Sequence, residues 1–187
     1  MIFTLLKIKL TVFKMLFRII LVCLCVFQFG CSPVFNWRTT HFLTHGDRYN
    51  ILFPGVPINA QKTLKIVGQQ GVLTVIAVQK DTAQWALGHI SAANESLARA
   101  IAESLSDSFS SKISSFASRK TLKIPNTLGS FEVNYAPFFI KNKPYVAVAR
   151  FIWTKNAAYQ VLTIGQTEDL PLDIANTFVS SLQFTSP

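Results

Sequence analysis

The chain has 187 residues, half of them apolar, so its length predicts one domain and its composition excludes wholesale disorder. Its 18 basic and 9 acidic side chains give a net charge of +9. Four of the basic residues and none of the acidic ones precede residue 31, which leaves the chain from Cys31 onward at +5. This mild excess is not a nucleic-acid-binding composition, so we expect no nucleic-acid partner.

The first 30 residues have the layout of a signal peptide. Four positive charges precede nine apolar residues, Ile19 to Phe27, and Gly30 is a small residue ahead of a cleavage point. The apolar run is shorter than the roughly 20 residues that a transmembrane helix needs. Met15 is an alternative start, which would give a signal peptide of more ordinary length.

The tripeptide 30–32, Gly-Cys-Ser, resembles a bacterial lipobox, in which the cysteine is lipidated and becomes the mature N-terminus. Cys23 and Cys25 fit worse because bulky residues precede them, and Gln28 departs from the leucine usual at its position. The resemblance implies a diacylglyceryl group, with acyl chains such as palmitate, on Cys31. The serine after the cysteine implies the outer membrane. An uncleaved membrane anchor and a simple secreted protein remain the alternatives.

No cysteine follows Cys31, so the folded part can hold neither a disulfide framework nor a cysteine-based metal site. Two acyl chains provide the stable attachment that one chain does not. We therefore predict a signal peptide over 1–30, a lipid-attachment cysteine and linker over 31–47, and a single domain over 48–187. The predicted location is the cell envelope, at the periplasmic side of the outer membrane.

The first half of the predicted domain contains four strands and a helix. Apolar residues recur every four positions from Leu97 to Ile113, which predicts a helix over about 95–114 with one apolar stripe and Asn94 as its N-cap. A turn at 68–71 predicts a hairpin. The predicted strands are Tyr49–Phe53, Thr63–Val67, Val72–Gln79 and Trp85–Ser91.

Four strands and a shorter helix are predicted in the second half. The last two strands are apolar at nearly every position, as expected of central strands covered on both faces. A helix follows Pro171 and buries Ile174, Phe178 and Leu182. Short turns between strands favour antiparallel pairing, so the predicted class is α+β, with about seven or eight antiparallel strands, a long mid-chain helix and a C-terminal helix. The predicted strands are Phe116–Ile124, Ser130–Pro137, Tyr145–Thr154 and Ala158–Gly165.

Three segments carry a resemblance to a known family. They are Phe-Pro-Gly-Val-Pro at 53–57, the middle helix, and Tyr-Gln-Val-Leu-Thr-Ile-Gly at 159–165 followed by 178–184. The pattern resembles an uncharacterised proteobacterial (betaproteobacterial-type) lipoprotein family with a PsbP-like α/β sandwich, and it spans about Asn36 to Phe184. The resemblance implies a fold and a location. It implies no activity, because none is established for the family.

The chemistry-bearing residues do not form a recognisable catalytic motif. His41, His45 and Asp47 have donor atoms that suit zinc, but a segment without helical periodicity does not align them, so we expect exposed linker residues. His89 has no acid or nucleophile near it in sequence, and Glu168–Asp169 is interpreted as a helix cap. We therefore expect no catalytic residue, metal or cofactor. A metal-dependent or hydrolytic periplasmic enzyme is the alternative.

The stretch between Phe116 and Tyr145 contains five basic residues and only one acidic residue, Glu132. A basic patch would attract anionic lipid or an acidic envelope protein. The alternative is that these lysines protect exposed sheet edges from aggregation. The function predicted from sequence is thus a non-enzymatic binding or structural module on a lipid anchor, with a candidate patch formed by Arg119, Lys120, Lys123, Lys141 and Lys143.

Overall fold

A computed structural model describes residues 35–44, 46–111 and 118–185, and residues 35–187 form one compact unit. Within the described ranges the chain forms two helices, α1 (Glu95–Ser110) and α2 (Leu172–Ser180), and ten strands. The strands are β1 (Arg38–Thr44), β2 (Asp47–Phe53), β3 (Ile58–Ile66), β4 (Gln69–Lys80), β5 (Ala83–Ser91), β6 (Ser118–Leu122), β7 (Gly129–Ile140), β8 (Lys143–Trp153), β9 (Ala157–Gln166) and β10 (Gln183–Thr185).

The strands form two sheets. A small sheet has the order β1-β2-β10, and a seven-stranded sheet has the order β3-β4-β5-β9-β8-β7-β6. Every paired strand in both sheets is antiparallel to its neighbour. The predicted α+β class is confirmed, together with the long mid-chain helix and the C-terminal helix.

The seven-stranded sheet is the middle of three layers. Successive side chains of a strand point to opposite faces, and in β8 both sets are buried, as expected of a central strand. One face packs on the small sheet and α2, and the other packs on α1. We call the first the aromatic face, after Tyr49, Phe53, Trp85, Tyr159 and Phe178. We call the second the alanine face, after Ala102, Ala147, Ala149 and Ala158.

Helix α1 begins where the sequence predicts it. The Asn94 side chain accepts a hydrogen bond from the backbone N–H of Leu97 at 2.9 Å, which satisfies one of the donors left open at a helix start. Ile101 and Leu105 are buried on the alanine face, which confirms the apolar stripe. The predicted final turn, with Ile113, lies outside the described residues.

The small sheet departs most from the sequence prediction. Strand β1 lies inside the range predicted to be a linker, and the compact unit begins at Phe35 instead of residue 48. Thr40, Phe42 and Thr44 are half-buried while the other four residues of the strand are exposed, and the rings of Phe42 and Tyr49 stack at 5.2 Å. The buried and exposed sides of β1 differ little in apolar character, so the strand is hard to detect in the sequence. Strand β10 is hard to detect because it has only three residues.

Two local predictions are wrong. The β3–β4 loop is Val67-Gly68, not 68–71, and both of its residues have positive φ, 50° and 77°. A two-residue loop of this kind matches the twist of its strands. Asp169 does not cap α2, because Pro171 is at the N-cap; its carboxylate accepts hydrogen bonds from the N–H and hydroxyl of Thr82 at 3.2 and 2.5 Å.

Candidate functional site

Cys31 and the predicted signal peptide over 1–30 lie outside the described residues. The compact unit begins four positions later, at Phe35. The Phe35 ring lies 5.7 Å from the rings of both Trp37 and Trp85, and the Lys80 ammonium lies 5.1 Å from its centroid. Contacts on three sides hold Phe35 against the end of β4 and the start of β5.

The seven-stranded sheet has two distinct ends. The β4–β5 turn at 81–82 and the β7–β8 turn at 141–142 lie at the same end, because Ile164 and Gln166 of β9 pair with the first residues of β5 and β8. We call this the Phe35 end. The opposite end contains the β3–β4 and β8–β9 turns and the β6–β7 loop.

The structure separates the predicted basic patch into two groups. Lys141 and Lys143 are exposed at the Phe35 end, whereas Lys123 is exposed after β6, toward the opposite end. Lys120 pairs in register with Glu132, which is nine residues before Lys141 along β7, a distance of roughly 30 Å at the usual strand rise. The side chain of Arg119 is not among those described.

A cleft of about 530 Å³ lies between the small sheet and the aromatic face of the large sheet. Its walls come from β1 on one side and from β3, β4 and β5 on the other, and it is open to solvent. Its lining mixes apolar side chains with amides and hydroxyls, which suits noncovalent binding of a small polar or extended ligand. The lining residues are Phe42, Thr44, Asn59, Ala60, Gln61, Thr74, Ile76 and His89.

A buried polar cluster lies beside this cleft. Asp47 Oδ2 accepts hydrogen bonds from the hydroxyls of Tyr159 and Thr154, both at 2.7 Å, so it joins the small sheet to strands β8 and β9. The His89 imidazole is only 7% exposed, and its ring lies 6.1 Å from that of Tyr159. His89 lies on the same face of β5 as Trp85, four residues earlier along the strand.

Burial favours the protonated form of the two tyrosines in this region, Tyr49 and Tyr159. Burial, followed by the hydrogen bond to the Asp47 carboxylate, raises the pKa of Tyr159 far above its ordinary value. Burial also raises the pKa of Tyr49. A phenol held in this state is a hydrogen-bond donor, and that of Tyr159 is engaged with the Asp47 carboxylate.

Two of the three residues considered as zinc donors, His41 and Asp47, lie on opposite faces of the β1–β2 hairpin. In the β1–β2 hairpin Thr44 pairs with Asp47 and shares its face, whereas His41 lies an odd number of residues from Thr44 and points the other way. His45 lies outside the described residues. Within those ranges, no cluster of three or more His, Cys, Asp or Glu side chains suits a metal ion.

Neither α1 nor α2, in the part of the chain that the structure describes, combines the length and apolar character required to cross a bilayer.

Sequence reasoning missed the cleft. Two of the residues that line it, Phe42 and Thr44, belong to the segment predicted to be a linker. Thr40, Phe42 and Thr44 are half-buried in the structure, but only Phe42 of the three is apolar and Leu43 lies on the exposed side, so the sequence carries no clear strand signal here.

Comparison with known proteins gives little further information. No family model matches the chain, and no curated protein matches it. Among solved structures, it is similar to LpqN, a protein involved in cell envelope biogenesis of Mycobacterium tuberculosis, with a TM-score of 0.41 and 8% identity. The similarity covers 81% of this chain and 92% of that one. Likeness at this level carries no argument about function.

Proposed function

We propose that this chain is a non-enzymatic envelope lipoprotein: a binding module attached to a membrane through a diacylglyceryl group on Cys31. The observation that carries the proposal is the Gly-Cys-Ser tripeptide at 30–32, placed two residues after the end of a nine-residue apolar run. The compact unit that follows supports it, because this unit has its own core and no cysteine that would compete for modification.

The serine after Cys31 supports an outer-membrane location facing the periplasm. The resemblance of 53–57, 159–165 and 178–184 to proteobacterial lipoproteins with a PsbP-like sandwich supports the same address. We propose, as part of the same hypothesis, that this chain belongs to that family of lipoproteins.

The inter-sheet cleft is the proposed ligand-binding surface. Its polar side chains, Asn59, Gln61 and Thr74, supply donors and acceptors, and Phe42 and Ile76 supply apolar contact. An envelope protein or a small envelope molecule is the proposed occupant.

A binding role is favoured over an enzymatic one by the polar cluster beside the cleft. The Asp47 carboxylate already accepts hydrogen bonds from Thr154 and Tyr159, and the phenol of Tyr159 stays protonated. Both groups are therefore engaged in holding the two sheets together. No observation on the described residues favours the alternative of a metal-dependent or hydrolytic enzyme.

Mass spectrometry of the protein isolated from bacterial membranes tests the proposal. We expect a mature N-terminus at Cys31 that carries the diacylglyceryl mass, and we expect Cys31→Ala to abolish both the lipid and the processing. Cys25→Ala is the matched control and is expected to change neither. A free thiol at Cys31, or a different first residue, would overturn the proposal.

A further inference from the structure

We propose that the tip of the β7–β8 hairpin, residues Phe139 to Lys143, is a second membrane contact, and that the Phe35 end of the sheet rests on the bilayer holding the lipid. This inference deepens the proposed function and rests on lipidation at Cys31. The partner is the surface of that bilayer, contacted through apolar side chains.

The length of the chain between the lipid and the fold limits where the domain can lie. Three residues separate Cys31 from Phe35, and the four extended Cα–Cα steps between them span at most about 14 Å. Phe35 itself is packed against Trp85 and Lys80 at one end of the sheet. The lipid therefore holds this end close to the head groups, whereas β8 alone extends roughly 35 Å toward the opposite end.

The hairpin tip has the composition of an interfacial contact. Phe139 is 70% exposed and Ile140 is 41% exposed, although both are large and apolar. Lys141 and Lys143 follow directly and are exposed as well. Apolar side chains enter the interfacial region of a bilayer, while lysines keep their ammonium groups at the level of the phosphates.

A two-residue turn fixes the conformation of the hairpin tip. Lys141 and Asn142 have φ values of 49° and 63°, as a two-residue hairpin loop of this type requires. Phe138 is buried on the alanine face, with its ring 5.9 Å from that of Tyr145. Since neighbouring side chains alternate, Phe139 is directed away from that core.

The net charge at the Phe35 end of the sheet does not explain the proposed membrane contact. Asp81, Glu168 and Asp169 lie at the same end of the sheet and offset the lysines there. We therefore expect the apolar side chains to dominate, and binding to depend only weakly on salt. Lys123, at the opposite end, takes no part.

The test uses the mature chain that begins at the lipidated Cys31 and therefore lacks Cys23 and Cys25, reconstituted into vesicles of phosphatidylethanolamine and phosphatidylglycerol. The Cys31 thiol is consumed in the thioether, so Phe139→Cys supplies a single site for a fluorophore. Leu128→Cys, 51% exposed at the opposite end, is the matched control. We expect quenching by a lipid-borne nitroxide to be several-fold stronger at 139 than at 128, and to change little as salt is raised.

A second pair of variants separates apolar insertion from mere proximity. With the fluorophore at Lys143→Cys, adding Phe139→Ser is expected to lower the quenching, whereas adding Leu128→Ser leaves it unchanged. Equal quenching at 139 and 128, on protein that mass spectrometry shows to be lipidated, overturns the hairpin contact and leaves the lipoprotein proposal intact. An unlipidated Cys31 overturns both.

Discussion

The two faces of the seven-stranded sheet are packed by different means. The aromatic face joins elements distant in sequence through large rings, and two buried polar links accompany them: Asp47 to Tyr159, and Arg150 to Glu132 at 2.6 Å. The alanine face combines small side chains with a few large ones and is covered by α1, whose ion pair, Arg99–Glu103, is exposed. We therefore expect the tertiary interactions that stabilise the fold to be concentrated on the aromatic face.

The largest effect is expected from a ring at the centre of the aromatic face. Phe178 is fully buried and lies 5.5 Å from Phe53, so Phe178→Ala should lower the free energy of unfolding by about 3–5 kcal/mol. Phe109→Ala, at a half-buried position on α1, should cost roughly half as much. Urea denaturation measures both. Equal losses would remove the asymmetry between the faces.

The two ion pairs sharpen the same comparison. The side chains of Arg150 and Glu132 are 11% and 13% exposed, so Glu132→Ala leaves a cation poorly solvated and should cost about 3 kcal/mol. Glu103→Ala removes a pair whose side chains are 62% and 44% exposed, and should cost roughly 0.5 kcal/mol. Chemical denaturation at low and high salt distinguishes them, because only the exposed pair is strongly screened.

A pH dependence is expected from the polar link of the aromatic face. The pKa of Tyr159 is raised in the folded protein, so the unfolded chain loses this proton first as pH rises through 10.0. Stability is full below that pH and should then fall by about 1.4 kcal/mol per pH unit for each such tyrosine. Tyr159→Phe should reduce the slope, with Tyr49 accounting for the remainder. An unchanged slope in this variant would argue against the assignment.

A small effect of the opposite sign should come from a turn outside both faces. Val67 is β-branched, yet its φ is 50°, a region that asparagine and glycine adopt far more readily. Val67→Asn should stabilise the protein by about 1 kcal/mol, seen as a higher thermal midpoint. Val72→Asn, an exposed strand position nearby, is the control and should not stabilise. Stabilisation by both variants would point to solubility instead of backbone strain.

The sequence predicts well those elements whose pattern is local. The four-residue recurrence that includes Ile101 and Leu105 predicts α1, and the side chain of Asn94 marks its start. The apolar runs of β8 and β9 predict strands buried on both faces, since only a central strand tolerates such a run.

The sequence does not predict features that depend on which segments pair with each other. Strand β1 is stabilised mainly by pairing with β2, and its half-buried side chains give little contrast of their own. Asp169 resembles a cap because it precedes a helix, but its partner, Thr82, is supplied by a turn 87 residues away. The five basic residues form one group in sequence, and the register of β7 then separates Lys120 from Lys141.

The small sheet links the beginning of the compact unit to its end. Strand β2 lies between β1 and β10, and Tyr49 pairs with Phe184. A polypeptide that emerges N-terminus first therefore completes this sheet only when its last strand arrives, and contacts of such long range form slowly. A nascent chain truncated before β10 would leave one side of β2 without its pairing partner, so we expect it to be digested by proteases that spare the full-length chain.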